Sequence, residues 1–296
     1  MTDTNATPVQ HSLRRRTLLA AALPALLGAH GIACADEPSP MEKIRARGVL
    51  KVALYKDNAP YSDGTSAGMQ GVDASLAQAL AKQLDLRLAF LPFDAGENMG
   101  DDLRNMVWKG HYMGYGPADF MLHVPVDKYF MEENRQAFIF APYARERLVV
   151  LHNPQTLPAV YNPEDLVGKK VGAEQGTGAA SALMGYHGGL LRNEVALYKD
   201  GVEAARAVVD GKLAAAYVYL AQAEAAVFAA AADHAAWAFS ELVLPGVPPR
   251  GWPFGIAVKA DNKELARLLD EALQKLRDNG TLLEIFRSHG LTLAAP

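Results

Sequence analysis

The sequence predicts an α/β protein with two domains, and three observations support this. Short apolar segments alternate with helix-like segments from about residue 49 onward. This alternation begins again near residue 169. The chain has 296 residues, which is enough for two domains of ordinary size. Such alternation favours mostly parallel sheets flanked by helices, with ligands near the carboxyl ends of the strands.

The first 35 residues have the features of a secretory signal peptide. Three arginines at 14–16 precede an apolar run, and small residues follow at 33–35. We therefore expect cleavage near Ala35 and a periplasmic protein. The arginine pair with the Thr-Leu-Leu after it also resembles the twin-arginine export pattern, so both export routes stay open. A lipoprotein signal that ends at Cys34 is an alternative.

Composition excludes several classes of protein. Cys34 is the only cysteine, so we expect no disulfide, thiol catalysis or Cys-based metal site after cleavage. The formal net charge is −4, and the predicted signal removes three arginines and one aspartate, so the remainder is more acidic and gives no support to nucleic-acid binding. No further apolar run is long and uncharged enough to span a membrane. We expect an exported monomer.

Elements of the first half follow from periodicity and from turn residues. After a linker at 36–40, a helical turn at 41–47 ends at Gly48. A helix begins at Asp73 with its apolar residues on one face, and another lies within 101–109. A loop is predicted at 58–68. Strands are predicted at 49–54, 86–93, 118–124, 138–143 and 147–151, with a bend at Pro142.

The second half opens with a strand at 169–173, a turn, and an Ala-rich helix at 179–184. The turn contains Gly176, Thr177 and Gly178, and it leaves N–H groups unpaired at the positive end of the helix dipole. Glycine lets a ligand approach this backbone closely, although a simple connection is the alternative. Neither a Walker loop nor a dinucleotide fingerprint is present.

The remaining elements continue the same alternation. A Pro-rich connector at 245–253 separates two groups of them. Before it we predict a helix at 203–209, a strand at 213–220 and a helix at 222–232. After it we predict a strand at 254–259, a helix that ends at Gly280, and a last helix at 282–289.

Seven short motifs occur in a fixed order along the chain. They lie at 48–53, at Pro60 and Tyr61, at 71–73, at 140–143, at 166–171 with the 176–177 turn, at 254–259 and at 278–282. Together they resemble the periplasmic solute-binding proteins of ABC transporters, the family that includes the polar amino-acid binders. The resemblance covers residues 41–290, nearly the whole chain after the signal.

This resemblance implies a type II periplasmic-binding-protein fold, with two α/β lobes joined by two hinge crossovers. Each lobe would be a mostly parallel sheet flanked by helices, with lobe 1 at 41–144 and 251–296 and lobe 2 at 145–250. A small-molecule ligand would occupy the interlobe cleft, with no cofactor and with an ABC permease as partner. The ligand-binding residues would be Tyr55, Tyr61, His123, Val126, Asp127, Gly176, Thr177, Gly178 and Tyr219.

The chain departs from the amino-acid binders at both charged anchors. Their ligand carboxylate pairs with an Arg in a Thr-x-x-Arg element, whereas this chain has His123-Val-Pro-Val-Asp127 at that place. Their ligand ammonium pairs with an Asp whose matching position here is Tyr219. A zwitterion bound without these anchors would leave two buried charges unpaired. We therefore expect that ordinary amino acids are not the ligand.

Two further interpretations stay open. The segment from Asp119 to Pro125 resembles a branch encoded beside quinoprotein (PQQ-dependent) alcohol or methanol dehydrogenases. Members of that branch are thought to assist the dehydrogenase, so such an enzyme is the alternative partner. A cleft hydrolase would need Glu174, the one carboxylate beside the turn. Ser181 has no nucleophile motif around it, so we expect no catalytic residue and no enzyme.

Acidic and aromatic clusters each have two interpretations. The pairs at 101–102 and 132–133 are either hard-cation ligands or solvated helix ends. No histidine pair has zinc-helix spacing, so no metal site is predicted. The Met-rich and aromatic segment 105–115 is either a docking surface for a partner or packing beneath the cleft.

Overall fold

The computed structural model describes residues 37–296, so the signal-peptide and export predictions lie outside the described range. The helices in this range are α1 (Pro40–Arg47), α2 (Val72–Gln83), α3 (Met99–Leu103), α4 (Lys128–Glu133), α5 (Gly178–Gly185), α6 (Gly201–Val209), α7 (Leu220–Ala229), α8 (Lys263–Asp278) and α9 (Thr281–Ser288). The strands are β1 (Val49–Tyr55), β2 (Asp57–Asn58), β3 (Ser62–Asp63), β4 (Arg87–Phe93), β5 (Phe120–Pro125), β6 (Ala137–Glu146), β7 (Leu148–His152), β8 (Val171–Glu174), β9 (Val195–Tyr198), β10 (Ala215–Tyr219), β11 (Ala238–Ser240) and β12 (Trp252–Lys259).

Two five-stranded sheets organise the fold, in the orders β4-β1-β5-β12-β6 and β11-β7-β10-β8-β9. In the first sheet β1 runs parallel to β4 and β5, whereas β12 is antiparallel to β5 and β6. In the second sheet β8 runs parallel to β9 and β10, whereas β7 is antiparallel to β10 and β11. Parallel pairing therefore holds where a helix connects the strands. The antiparallel strands are β7 and β12. Each is the first strand after the chain passes from one sheet to the other.

The first sheet is covered by helices on both faces. Leu76 and Leu80 of α2 are buried with Leu269 and Leu273 of α8 against one face, as the one-sided apolar pattern of α2 predicted. On the other face, α3 and the π-helical turn after it bury apolar side chains against β5 and β6. The helix predicted within 101–109 thus begins earlier, at Met99, and changes to π geometry at 104–108.

The second sheet also has two packed faces. Leu183 of α5 packs on one face beside Tyr217 of β10. Small residues of α6 and α7 pack on the other face, and they let both helices approach the strands closely. The buried ones are Ala204, Ala205, Ala223 and Ala226. The strand and helix predictions for this half are confirmed in type and order.

The chain passes between the two sheets twice, and the two passages touch. The first is at Arg147, between β6 and β7, and the second is the 241–251 segment, between β11 and β12. Arg147 forms an ion pair with Glu241 across them. Gly251 has φ of 61°, and a Cβ there would lie 1.7 Å from the backbone oxygen of Glu146. Only glycine allows this contact between the passages.

The structure refines two local predictions. Most of the predicted 58–68 loop is turn, but Asn58 and Ser62–Asp63 belong to the short antiparallel hairpin of β2 and β3. The bend predicted at Pro142 lies within β6, which runs from Ala137 to Glu146. Ala141 has φ of 49°, and the pairing of β12 with β6 shifts register between Phe140 and Ala144.

Candidate ligand-binding cleft

A cleft of about 630 Å³ lies beside the two passages, and residues from both sheets line it. Its volume is in the range of sites for small molecules. Five aromatic side chains contribute to the lining, namely Tyr55, Tyr61, Tyr219, Trp252 and Phe254. Five carboxyl side chains do so as well, namely Asp57, Asp63, Glu146, Glu174 and Asp200. Among the described residues, Lys199 is the single lysine or arginine of the lining.

His123 is held in the cleft wall by a closed hydrogen-bond network. Its Nδ1 lies 3.1 Å from Oδ2 of Asp73, whose other oxygen accepts a 2.6 Å bond from the Tyr143 hydroxyl. That hydroxyl in turn accepts a 3.1 Å bond from the His123 backbone N–H. Asp73 is fully buried in the first turn of α2, where the helix dipole stabilises a carboxylate. The network fixes the ring orientation of His123 at the end of β5.

Two aromatic rings contact the imidazole of His123 and each other. The Phe254 ring stacks on it with centroids 4.2 Å apart, and the Tyr61 ring lies 4.4 Å away on a tilted plane. Tyr61 and Phe254 also contact each other edge to face at 5.2 Å. The ring of His123 is thus packed against the core and also lines the cleft.

Glu146 is the last residue of β6 and lies at the first passage between the sheets. Its side chain is buried, with 3% of its surface exposed. Burial raises the pKa of Glu146 to about 7, although His123 and a hydrogen bond from the Tyr61 hydroxyl act in the opposite direction. The carboxyl group is therefore able to gain or lose a proton near neutral pH.

Glu174 forms the opposite wall, at the end of β8. Its Oε2 accepts a 2.8 Å bond from the Gln222 amide and a 3.0 Å bond from the backbone N–H of Gly201. A Cβ at position 201 would lie 2.0 Å from Oε1 of Gln222, so the missing side chain makes room for the amide. Burial raises the pKa of Glu174, and the negative charges of Asp200 and Asp57 add to this.

Tyr55 lines the cleft while its hydroxyl points into a buried contact. The hydroxyl donates a 2.7 Å bond to Oδ2 of Asp102, and the other oxygen of Asp102 accepts a 2.8 Å bond from the Gly96 N–H. Burial raises the pKa of both Tyr55 and Asp102. Asp102 is therefore a buried structural partner, and its interpretation as a solvated helix end was wrong.

The structure brings together four of the nine sequence-predicted binding residues. Tyr55, Tyr61, His123 and Tyr219 line the cleft. Val126 is half-buried and packs against the core of the first sheet, and Asp127 caps α4 by accepting a 2.9 Å bond from the Phe130 N–H. Gly176, Thr177 and Gly178 form the turn before α5 and are outside the cleft lining.

Sequence reasoning missed most of the carboxyl groups of the lining, and it also missed Trp252. Glu146 immediately precedes a crossing between the sheets, and Trp252 immediately follows the glycine of the other crossing. Their positions beside the predicted hinges were the available signal. Asp57 and Asp200 carried no signal, because they lie in loops that only the fold brings face to face.

The clustered acidic groups do not form a metal centre. No group of three or more His, Cys, Asp or Glu side chains within residues 37–296 is arranged to hold a metal ion. In the same range no helix is long and apolar enough to cross a membrane.

Comparison with known proteins finds structural relatives only. No protein-family model matches the chain, and neither does any curated protein. A polar amino-acid ABC uptake transporter substrate-binding protein from Streptococcus thermophilus superposes with a TM-score of 0.64 at 16% identity, over 87% of this chain and 92% of that chain. An ancestral cationic amino-acid solute-binding protein superposes with a TM-score of 0.63 at 20% identity, over 85% of this chain and 100% of that chain.

A third relative was solved with a ligand. It is an amino-acid ABC transporter substrate-binding protein from Streptococcus pneumoniae bound to L-arginine, with a TM-score of 0.57 and 21% identity, over 87% of this chain and 100% of that chain. At such identities the similarity concerns architecture alone. The chain thus has the two-lobe α/β fold of the substrate-binding proteins of amino-acid ABC transporters.

Proposed function

We propose that this chain is a periplasmic, non-enzymatic solute-binding protein that takes up a small molecule between its two lobes. The observation that carries the proposal is the 630 Å³ cleft walled from both sheets. Closure of such a cleft exchanges two wet surfaces for one desolvated site. The lobe boundaries expected from sequence were 41–144 with 251–296 and 145–250. Because β6 of the first sheet continues to Glu146, we propose that the first crossover lies at Arg147, slightly later than expected.

We further propose that ordinary α-amino acids are not the solute. Within the described part of the chain, the cleft lining has no arginine to pair with a ligand carboxylate. Its one lysine, Lys199, is exposed and adjoins Asp200. A carboxylate desolvated among five acidic side chains would bind unfavourably.

Thermal-shift screening of the mature protein, followed by calorimetry of each hit, tests both statements. We expect at least one small solute to raise the melting temperature and no proteinogenic amino acid to bind with a sub-micromolar Kd. Binding should be lost in Tyr219→Ala and kept in Tyr129→Ala, since Tyr129 is exposed and outside the cleft. If no solute binds, the binding function is wrong, whereas a tightly bound amino acid overturns only the exclusion.

An exposed loop supports a macromolecular partner as well. Tyr112 and Met113 are 89% and 70% exposed, and aromatic and methionine side chains are enriched at protein interfaces. We propose an ABC permease as the partner. The alternative is an accessory role for a periplasmic quinoprotein alcohol or methanol dehydrogenase.

Capture experiments with the purified partners separate these roles. The permease complex and the dehydrogenase are each tested against the wild type and against a Tyr112→Ser, Met113→Ser variant. Capture of the dehydrogenase alone, lost in the variant, would establish the accessory role. The neighbouring genes give a further criterion. Permease and ATPase genes would favour transport, whereas genes for a dehydrogenase and a c-type cytochrome would favour the accessory role.

A hydrolase is the least supported function. Both donors described for Glu174, Gln222 and the Gly201 N–H, orient its carboxylate within the wall. Turnover of a cleft-bound ester or glycoside that disappears in Glu174→Gln would be required to establish catalysis.

A further inference from the structure

We infer that the solute of this cleft is an organic cation that carries no carboxylate group. This inference rests on the proposed solute-binding function and specifies its ligand class. Three features of the cleft support it: the sign of the wall charges, the absence of ion pairs to the described carboxyl groups of the wall, and the aromatic rings between them.

The charge of the lining is strongly one-sided. Five carboxyl groups face the cleft, against the single ammonium group of Lys199 among the described residues. His123 does not offset this, because it is already paired with the buried carboxylate of Asp73. A cationic ligand is therefore attracted by the wall, and an anion is repelled from it.

Across residues 37–296, none of these five carboxyl groups forms an ion pair with a lysine, arginine or histidine. This differs from the protein surface, where Lys56 pairs with Asp94 at 2.7 Å and Lys212 with Asp210 at 2.8 Å. Glu146 is buried and Glu174 and Asp200 are half-buried, and such desolvated carboxylates are unfavourable without a counter-ion. Asp57 and Asp63 are exposed and add their charge without this cost. A bound cation would supply the missing counter-ion.

Both walls contribute to this negative field. Asp57, Asp63 and Glu146 belong to the side of the first sheet, and Glu174 and Asp200 belong to the side of the second. Asp57 lies close enough to Glu174 to raise its pKa from across the cleft. A cation between the walls would remove a repulsion that otherwise opposes closure.

Aromatic rings occupy the remaining surface of the cleft. Tyr219 and Trp252 come from different sheets and meet edge to face, with centroids 5.7 Å apart. The faces of electron-rich rings attract organic ammonium and guanidinium groups, and the attraction grows when the cation is desolvated. The rings also bury the hydrocarbon part of such a ligand.

A metal ion is a poor alternative to an organic cation. The described residues contain no group of three or more metal-ligating side chains close enough to coordinate one ion. A volume of about 630 Å³ also far exceeds what a single ion fills, and it accommodates a small organic molecule.

Calorimetry with matched pairs tests the inference on the full mature chain. Each pair contains an organic cation and the same skeleton with a carboxylate: agmatine and arginine, cadaverine and lysine, tyramine and tyrosine, choline and glycine betaine. We expect at least one cation to bind about 100-fold tighter than its carboxylated partner, because the carboxylate would be desolvated without a counter-ion. If the carboxylated member binds as tightly as the cation, or tighter, in every pair that shows binding, the inference is overturned.

Variants of the wall charges add a second readout. Asp57→Asn lies on the exposed hairpin and Glu174→Gln keeps a hydrogen-bond acceptor, so both should fold. Each should weaken binding of the cation about 10-fold, while the exposed Glu133→Gln, outside the cleft, leaves it unchanged. Unchanged affinity in both wall variants would contradict the inference.

Failure of this inference is distinguishable from failure of the function. If a neutral or anionic solute binds and Tyr219→Ala abolishes the binding, the ligand class is wrong and the solute-binding function stands. If no member of the panel or of the wider screen binds, the proposed function itself is wrong.

Discussion

His123 combines a strained backbone with a fixed side chain. Its φ of 61° lies in the left-handed region, which costs a non-glycine residue roughly 1–2 kcal/mol. The backbone N–H donates to the Tyr143 hydroxyl and the ring contacts Asp73, and these bonds offset the strain. The conformation turns the imidazole into the cleft wall, where it contacts the rings of Tyr61 and Phe254. No pattern in the sequence around residue 123 indicates this conformation.

The protonation of Glu146 should make stability depend on pH. Its folded-state pKa of about 7 lies above the ordinary value of 4.5, so the folded state binds the proton more tightly. The resulting stabilisation is complete below pH 4.5 and is lost as the pH rises through 7. Glu146→Gln should therefore gain stability relative to wild type between pH 4.5 and 8, by up to roughly 3 kcal/mol.

Urea denaturation of both proteins at pH 5 and at pH 8 measures this difference. Glu133→Gln is the matched control, because its carboxyl group is exposed and should show no such pH dependence relative to wild type. A pH-independent difference between wild type and Glu146→Gln would contradict the assigned pKa.

Binding of a cation should release protons near neutral pH. A cation in the cleft favours the ionised form of Glu146, so the pKa of that carboxyl group falls on binding. Agmatine affinity should therefore weaken as the pH falls below about 7 and level off above it. Calorimetry in buffers of different ionisation enthalpy measures the released protons. The pH dependence of agmatine affinity should be smaller in Glu146→Gln. The neighbouring groups His123, Asp73 and Tyr61 are unchanged in this variant.

At the scale of elements, the Gly-Thr-Gly turn begins a helix. Thr177 is the N-cap of α5, where its Oγ1 accepts a 3.1 Å bond from the Ala180 N–H and donates a 2.8 Å bond to the backbone carbonyl oxygen of Glu174. The turn predicted to cradle a ligand thus caps α5 and holds the backbone of the cleft residue Glu174 in place. Whether it also contacts ligand stays a prediction.

Loss of the Thr177 cap should destabilise the protein. Thr177→Ala leaves the Ala180 N–H without its side-chain acceptor, and we expect the free energy of unfolding to fall by about 1 kcal/mol. Thr177→Ser keeps the hydroxyl and should retain most of the stability. Chemical denaturation of the wild type and both variants measures the free energies of unfolding. If Thr177→Ser loses as much stability as Thr177→Ala, the lost cap is not the cause.

At the scale of the whole molecule, α7 ties the two lobes together. Its Ala221 packs in the core under the first sheet, whereas its Val227 packs in the core under the second. Glu224 of the same helix is buried and accepts bonds of 2.8 Å and 2.7 Å from the N–H and the hydroxyl of Thr292. These contacts join the segment after β10 to the C-terminal segment.

Removal of the Thr292 hydroxyl should weaken this connection. Thr292→Val takes a hydrogen bond from a buried carboxylate, and we expect a loss of about 2 kcal/mol in the free energy of unfolding. Thr292→Ser restores the donor and serves as control. In a double-mutant cycle the effect should shrink when Glu224 is already Gln. Additive effects would show that the two side chains do not interact.

By itself the sequence determined the order and type of most elements and the two-lobe architecture. Apolar periodicity and turn residues act locally, so the face of α2 and the turn before α5 could be predicted from adjacent residues. The four predicted residues that line the cleft stand at strand ends or near them, where ligands of α/β folds usually bind.

Only the tertiary structure decided the chemistry of the cleft. Glu146 gained its raised pKa from burial, and Asp57 and Glu174 became neighbours because the two sheets fold toward each other. Charge sign, desolvation and counter-ions depend on distances between residues far apart in the chain, and local patterns do not encode those distances.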